Sequence, residues 1–426
     1  MKLPDHTLLK KSVMSALIRG VGALTSLLMS WVIARSYGPE QAGLFFLALA
    51  VVTFLGTIAR AGVDISIVRF IGAAEGSKHG TRISSVINKA LSLTIPLTVI
   101  VSSVIVAAGD VVATHVFEKP SLGPFISTMG LALPGITLLT VYGMGLQGLH
   151  KTVSSVITLK IAGPLLFIAM IFQLFEVEGK YLPTLYAAAM FTAGLLGAGL
   201  FRTFRPVNDD GDAISWRQFT NSTRPLWIGQ IAQQIMLLSS QIICGIWLSS
   251  QDVALLTTAQ RTAMLTPFIL LAVNMVVAPK FSALHEAKKF DQLESLAVDA
   301  TKIMLLVGGP VAVVIMALSS QIMSTFGSDF AAAGVLLQII TLGQLVNVAT
   351  GSANMLLVSS GNEEALKSTY YAGAAVALVA CVGLIPTYGV VGGAIATALA
   401  LAVQNLATVV LVRKRLRMRV LPTLKL

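Results

Sequence analysis

The sequence predicts an all-α integral membrane protein with about twelve transmembrane helices. Of its 426 residues, 55% are hydrophobic and only 12% are charged, and the mean hydropathy is +0.82. A water-soluble domain has roughly a quarter of its residues charged, so this chain has too few polar side chains to cover a surface in water. Its apolar runs are of spanning length and too long for barrel strands. Because backbone in hydrocarbon must satisfy its own hydrogen bonds, the runs are predicted to be helices.

The apolar runs fall into two sets of six. The first set predicts spans at 12–35, 42–60, 84–109, 122–148, 156–175 and 181–201. The second set predicts spans at 225–248, 256–278, 303–324, 331–358, 369–387 and 389–412. A polar stretch separates the two sets and is interpreted as a cytoplasmic linker over 206–224. The chain therefore divides into an N-terminal six-helix lobe over 1–205 and a C-terminal six-helix lobe over 225–426.

The two halves of the sequence resemble each other. A shift of about 212 residues brings the first span onto the seventh, and it pairs Glu40 with Asp252 and Pro96 with Pro310. Because six is an even number of crossings, both lobes enter the membrane from the same side. The sequence thus predicts two parallel six-helix lobes, related by an axis along the membrane normal.

The basic residues predict the topology. Of the 30 Lys and Arg residues, 25, including Lys160, lie in or near the connecting segments of one side and four in or near those of the other, while Arg19 lies within a span. The positive-inside rule then places both termini in the cytoplasm of a multi-pass protein in the cell inner (plasma) membrane. The net charge of +11 is explained by this bias, so nucleic acid is not expected as a partner. The basic cytoplasmic tail, 413–419, is expected to contact anionic membrane lipids.

No motif in the sequence indicates an enzyme. The P-loop, HExxH, GxSxG and CxxC patterns are missing, and both cysteines, Cys244 and Cys381, lie in apolar runs. We therefore predict no catalytic residue, no cofactor and no metal site. The predicted periplasmic connections are about a dozen residues or fewer, which leaves no room for an external catalytic domain. The 19 carboxylates lie almost entirely in loops or at span ends. Asp64 comes closest to the membrane, where its spacing predicts an ion pair with Arg60 or Arg69.

Two arginines are the candidate binding residues for an anion. Arg19 lies about two turns into the first span, ~12 Å from its Lys10-Lys11 end by helix rise. Arg261 lies one to two turns into the eighth span. An unpaired guanidinium in hydrocarbon costs on the order of several kcal/mol, so both side chains are predicted to face a wet cavity. The alternative is that each side chain extends to the nearest membrane interface.

Amide side chains form the second group of candidate substrate-binding residues. Gln230, Gln234 and Gln241 in the seventh span are spaced i, i+4 and i+11, which places them on one helix face. Asn274 in the eighth span and Asn347 in the tenth are added to this group. Such residues can line a cavity that holds sugar, or they can form hydrogen bonds between helices. Both interpretations stay open at the level of the sequence.

Several segments resemble one known family. The chain is similar to the polysaccharide-biosynthesis flippases, the O-antigen translocases (Wzx type) of the MOP exporter superfamily, which also contains the MATE transporters. The similarity extends over essentially the whole chain. The segments that carry it are 35–45 (RSYGPEQAGLF), 60–69 (RAGVDISIVR), 326–330 (FGSDF), 360–362 (SGN) and 388–397 (YGVVGGAIAT).

The resemblance implies a two-lobed bundle with a cationic central cavity and alternating access. Its substrate would be a polyprenyl-pyrophosphate-linked oligosaccharide, flipped from the cytoplasmic to the periplasmic leaflet for surface polysaccharide such as the O-antigen of lipopolysaccharide. A polysaccharide polymerase and chain-length machinery are the candidate protein partners. Related lipid II flippases (MurJ type) are similar in placing cavity arginines on the first and eighth helices, as Arg19 and Arg261 are placed here. Many relatives carry an acidic residue where this chain has Gln241, so carboxylate-based ion coupling is not carried over.

Two alternatives are weighed against a flippase. A MATE-type multidrug or cation antiporter needs a carboxylate in its cavity, and none is predicted near the centre of a span. A membrane-embedded polysaccharide polymerase needs a long periplasmic loop with acid and base residues, and the predicted loops are short. Both alternatives are less consistent with the residues than a flippase of an anionic lipid-linked sugar.

Overall fold

The computed structural model describes residues 6–75, 82–174, 177–206 and 212–421. Within these ranges the regular elements are helices, and eight of them are long and apolar enough to cross a membrane. The number rises to nine if Pro120–Gly130 and Ala132–Gly148, bent by 43° at Leu131, form one span. The predicted all-α membrane fold is confirmed, and each of the twelve predicted spans lies largely in helix.

Two of the helices that are long enough to cross a membrane each consist of two helical segments joined at a break. The first, α1 (His6–Ala59), is broken at Gly38, whose φ of 72° and ψ of 175° lie outside the helical region. The last helix of the chain, Glu363–Leu416, is broken at Gly389 with a φ of 58° and a ψ of −140°. Glycine adopts a positive φ without the steric cost that a Cβ imposes. The breaks fall between predicted spans one and two and between spans eleven and twelve.

The described chain divides into two compact units. One is Ile18–Gln234; the other begins at Ile235 and also takes in the start of α1, up to Leu17. In the first unit α1 is followed by shorter and longer helices, with a π-helical turn, Ile157–Ala162, between the sixth and seventh. These helices are α2 (Val63–Glu75), α3 (Ile83–His115), α4 (Gly123–Gly130), α5 (Ala132–Gly148), α6 (Thr152–Val156), α7 (Gly163–Gln173) and α8 (Leu182–Phe204).

Aromatic side chains hold part of the first unit together. The rings of Phe45 and Phe167 stack with centroids 5.6 Å apart, and Tyr186 meets Phe45 edge to face, also at 5.6 Å. Such pairs contribute about 0.5–1.5 kcal/mol each beyond the burial of their area. They fix the second half of α1 against α7 and α8.

The second unit repeats the pattern of long helices with short connections. A buried cluster stabilises the end of this unit that is predicted to face the cytoplasm, and it includes Phe281, Leu293, Leu356 and Val412. Its helices begin with α9 (Trp216–Trp247), of which residues from Ile235 belong to this unit. The others are α10 (Ser250–Ala263), α11 (Phe268–Glu286), α12 (Phe290–Ala317), α13 (Ser319–Ser324), α14 (Gly334–Thr350), α15 (Ala353–Ser359) and α16 (Glu363–Leu416).

The structure shows helix within part of the predicted linker over 206–224. Helix α9 begins at Trp216, and Phe219 and Thr223 within that stretch are buried. This part of α9 packs against the turn at Gly62: a Cβ there would lie 2.5 Å from the Thr223 carbonyl oxygen and 2.7 Å from the Trp227 nitrogen. Because Gly62 has no side chain, α9 packs directly on this turn. Residues 207–211 of the predicted linker lie outside the described ranges, and the boundary between the compact units falls later, within α9.

Candidate functional site

Arg19 lies on the side of α1 opposite its exposed apolar residues. Leu17, Val21, Leu24 and Leu28 are exposed and, at i, i+4, i+7 and i+11, form one apolar stripe along the helix. At about 100° per residue, Arg19 points roughly 180° away from the centre of this stripe. The Arg19 side chain is also exposed. An exposed apolar stripe is the face expected to contact lipid, so the guanidinium is expected on the side away from lipid, which is the orientation that a cavity role requires.

A second cation, Lys160, packs against α1 one turn from Arg19. A Cβ at Gly22, one turn from Arg19, would lie 2.8 Å from the Lys160 Cβ and 3.5 Å from Val156 Cγ1. The π-helical turn Ile157–Ala162 therefore runs directly against α1, with Lys160 at the contact. The sequence signal for this position was the depth of Lys160 along its span. Lys160 lies nine residues beyond Lys151 and inside the predicted span 156–175.

Lys160 lies where α1 and the π-helical turn meet. Its stem packs on Gly22, while the side chain as a whole is exposed. A side chain with both properties lines the groove between the two helices. In the described part of the chain, neither Lys160 nor Arg19 forms an ion pair or hydrogen bond.

Arg60 and Asp64 form a buried ion pair, which confirms the first of the two predicted pairings. Arg60 Nε donates to Asp64 Oδ2 at 3.1 Å, and Arg60 Nη2 donates to Thr57 Oγ1 at 3.2 Å. Both charged side chains are buried, and the second carboxylate oxygen, Asp64 Oδ1, makes no hydrogen bond. Asp64 is the one buried carboxylate among the described residues, and its charge is compensated by Arg60.

Gln241 belongs to a neutral hydrogen-bond network in the second unit. Gln241 Nε2 donates to Gln260 Oε1 at 2.7 Å, while Gln260 Nε2 donates to Ser240 Oγ at 2.8 Å and to Thr397 Oγ1 at 2.9 Å. The network ties α9, α10 and α16 together. Of the two interpretations left open for Gln241, this geometry favours hydrogen bonding between helices.

The other predicted amides have different surroundings. Gln230 and Asn274 are half-buried, and the Oε1 of Gln230 and the Oδ1 of Asn274 make no hydrogen bond. Gln234 is half-buried, and Asn347 donates to Gln344 Oε1 at 3.2 Å. Gln230 and Gln234 belong to the first unit with Arg19, whereas Gln241, Asn274 and Asn347 belong to the second.

Arg261 lies in the last turn of α10, two residues before that helix ends. It is half-buried, and its neighbours Gln260 and Thr262 are buried. The next four residues, 264–267, form a turn that interrupts the predicted eighth span before α11 begins. Arg261 thus stands next to a break in a spanning segment, in the second unit. In the described ranges, no group of three or more His, Cys, Asp or Glu could hold a metal ion.

Two family models match the chain. The one described as polysaccharide biosynthesis protein matches residues 8–285, and the one described as MatE matches residues 225–387. No curated protein matches the chain in sequence.

Solved structures share the fold over nearly the full length. The inward-facing conformation of a multidrug resistance MATE family transporter of the MOP superfamily is 18% identical, with 94% of this chain and 98% of that one covered at a TM-score of 0.73. The lipid II flippase MurJ in an inward closed conformation is 17% identical, with 94% and 87% covered at 0.73. A MOP superfamily transporter from Pyrococcus furiosus, described as having a binding pocket of reverse polarity, is 16% identical, with 96% and 95% covered at 0.66.

Proposed function

Because the chain belongs to the family of polysaccharide biosynthesis proteins and has the fold of the MOP transporters, we propose that it flips a polyprenyl-pyrophosphate-linked oligosaccharide across the membrane. Transport runs from the cytoplasmic to the periplasmic leaflet of the cell inner membrane, and it supplies surface polysaccharide synthesis. Both termini are cytoplasmic in this proposal. A polysaccharide polymerase and chain-length machinery then act on the delivered glycan.

The observation that carries the proposal is the position of Arg19 on the non-apolar side of α1. A charged diphosphate cannot cross hydrocarbon unaided, because its desolvation costs far more than thermal energy supplies. A guanidinium held away from lipid offers a planar, permanently charged fork that matches phosphate oxygens. Such a group lowers the barrier for an anionic head group and raises it for a cation.

In this mechanism the two arginines bind the diphosphate and the amides bind sugar. Arg19 and Arg261 provide the positive charge, while Gln230, Gln234 and Asn274 offer donors and acceptors to hydroxyl groups, and the polyprenyl tail stays in the bilayer. Alternating access then exposes the head group to the other leaflet. A membrane potential that is negative inside favours outward movement of an anion by roughly 2.3 kcal/mol per charge per 100 mV.

The proposal is tested with purified protein in liposomes that contain a fluorescent polyprenyl-diphosphate oligosaccharide. Leaflet sidedness is followed with a membrane-impermeant quencher for the wild-type chain and for Arg19→Ala, Arg261→Ala and the matched control Arg413→Ala, which removes an exposed charge near the end of α16. We expect at least a tenfold slower rate for the first two variants and no change for the control. Wild-type rates in both Arg19→Ala and Arg261→Ala would remove the proposed binding residues, and no flipping by the wild type would remove the function.

A cation antiporter is the second candidate, and the MatE match over residues 225–387 favours it. Against it, the one buried carboxylate of the described residues, Asp64, is paired with Arg60. Proton- or sodium-driven export of an organic cation by the same liposomes would establish this function in place of the flippase.

A further inference from the structure

Arg19 and Lys160 suggest a binding site in the first unit that includes a residue not yet given a role. We infer that Lys160 and Arg19 form one two-cation subsite for a diphosphate, with Lys160 held in place by the π-helical turn Ile157–Ala162. The inference names a further binding residue for the head group, so as far as the lipid-linked substrate is concerned it rests on the proposed function.

The first step is contact between the two elements. At Gly22 only a hydrogen separates α1 from the stem of Lys160, because a Cβ there would lie 2.8 Å from the Lys160 Cβ. Arg19 and Gly22 are three residues apart and thus about 60° apart around the helix axis. The Lys160 stem therefore lies on the Arg19 side of α1 and away from its apolar stripe.

The second step is equal depth. Arg19 is eight residues beyond Lys11, and Lys160 is nine residues beyond Lys151. At 1.5 Å per residue, both are roughly 12–13 Å along their helices from the basic ends. Two cations at similar distances from the basic ends of neighbouring helices are therefore expected at a similar level of the groove between them.

The third step is charge. Within the described residues neither cation has a carboxylate partner, unlike Arg60, whose charge is compensated by Asp64 at 3.1 Å. Two neighbouring positive charges repel each other, and more strongly beside protein than in open water, because protein lowers the local dielectric constant. A ligand with two or more negative charges close together removes that repulsion. A diphosphate meets this requirement better than a carboxylate or a sulfate ester.

The fourth step is the backbone that presents Lys160. Residues 157–162 form a π-helical turn between two α-helical segments, a distortion found often at functional sites. The wider turn changes the direction in which its residues point relative to α6. Lys160 also differs from arginine in kind, since its ammonium is a compact charge with three rotatable donors that complements the planar fork of Arg19.

The test measures binding of inorganic pyrophosphate to the full-length chain in nanodiscs by titration calorimetry, at low ionic strength. Variants are Lys160→Gln, Lys160→Arg, Arg19→Gln and the double variant Arg19→Gln/Lys160→Gln. The matched control is Lys302→Gln, which removes an exposed lysine of the second unit that pairs with Asp299. Each variant is first checked for a monodisperse elution profile and a wild-type melting temperature, and Lys160→Arg preserves the charge if Lys160→Gln does not fold.

We expect the affinity for pyrophosphate to fall at least tenfold in Lys160→Gln, to stay within about threefold in Lys160→Arg, and to be unchanged in Lys302→Gln. The double variant should lose less than the product of the two single losses, because both residues bind the same ligand. Unchanged affinity in Lys160→Gln, or strictly multiplicative losses in the double variant, would overturn the shared subsite.

A competition experiment separates this inference from the proposed function. Short-chain polyprenyl diphosphate in the nanodisc should displace pyrophosphate, which supports the subsite as the place where the lipid head group binds. Pyrophosphate binding that depends on Lys160 but resists the lipid keeps the anion subsite and overturns its assignment to a lipid head group. Flipping by a wild-type chain that binds no pyrophosphate overturns the subsite and leaves the function standing.

Discussion

The two compact units differ in how far the polar side chains of their helices are satisfied by neighbouring residues. In the first unit Arg19 and Lys160 carry positive charge that no described residue neutralises. In the second, Gln241, Gln260 and Thr397 form a neutral network whose members satisfy one another. A satisfied network stabilises the fold and has little to offer a ligand, whereas an unsatisfied charge is costly until a ligand arrives. The comparison leads us to expect that two cations of the first unit, together with Arg261 of the second, bind the substrate, while the glutamine network stabilises the second unit.

The largest effect is expected from the one compensated charge pair of the first unit. Asp64→Ala leaves Arg60 buried without its partner, and breaking such a pair costs about 3–5 kcal/mol. Thermal unfolding in detergent should show a large fall in melting temperature. The matched control is Asp299→Ala, which removes an exposed carboxylate from an exposed pair and should have almost no effect. Equal effects of the two substitutions would mean that Asp64 is not the buried partner described here.

A moderate effect on stability is expected in the second unit. Gln260→Ala removes the acceptor of Gln241 and the donor to Ser240 and Thr397, and buried groups left without partners cost about 1–3 kcal/mol. The melting temperature should fall, while pyrophosphate affinity should remain that of the wild type. Gln251→Ala, at an exposed position of the same helix, is the control. A loss of pyrophosphate affinity in Gln260→Ala would contradict the structural role of the network.

A smaller effect on binding is expected where the first unit is most tightly packed. Gly22→Ala places a methyl group 2.8 Å from the Lys160 Cβ, so the π-helical turn must move by a few tenths of an ångström or more. We expect pyrophosphate affinity to fall about threefold, with both cations still present. Gly199→Ala, a helical position of the same unit with no atom within 4 Å of the added Cβ, is the control. If both alanine variants bind alike, the position of Lys160 does not matter for affinity.

The smallest effect is expected from the ions in solution. Since the glutamine network is neutral and Asp64 is paired, no described buried carboxylate is free to bind a driving cation. Replacement of Na⁺ by K⁺ on both sides of the liposomes should therefore leave the flipping rate within about twofold. A rate that requires Na⁺ would contradict this expectation and would indicate a cation site that takes part in transport.

Much of the fold could be predicted because hydropathy is a local property. Each apolar run corresponds to helix, and the spacing of Arg60 and Asp64 was enough to predict their pair. The start of α9 was not predicted because its first residues are polar, and the packing of the helix on Gly62 is a tertiary contact that hydropathy does not reveal. The partner of Gln241 could not be predicted, since Gln260 lies 19 residues away and on another helix.

Lys160 shows where counting charges fails. A lysine near the end of a span contributes to the positive-inside bias wherever its side chain points. The charge bias therefore cannot distinguish a lysine that binds a ligand from one that only sets the topology. Its contact with Gly22 depends on how α1 packs against the π-helical turn, and nothing in the local sequence specifies that packing. Its depth beyond Lys151 was the only available signal.

The π-helical turn also bears on how the selectivity of such a protein can change over time. A π turn accommodates about one residue more than an α turn, so loss of a single residue between Ile157 and Ala162 would restore a regular helix. Because the π turn absorbs that residue locally, the segments before and after it would keep their relative orientation. One deleted codon could thus move the ammonium of Lys160 or bring a neighbouring side chain into its place, while the rest of the bundle kept its packing.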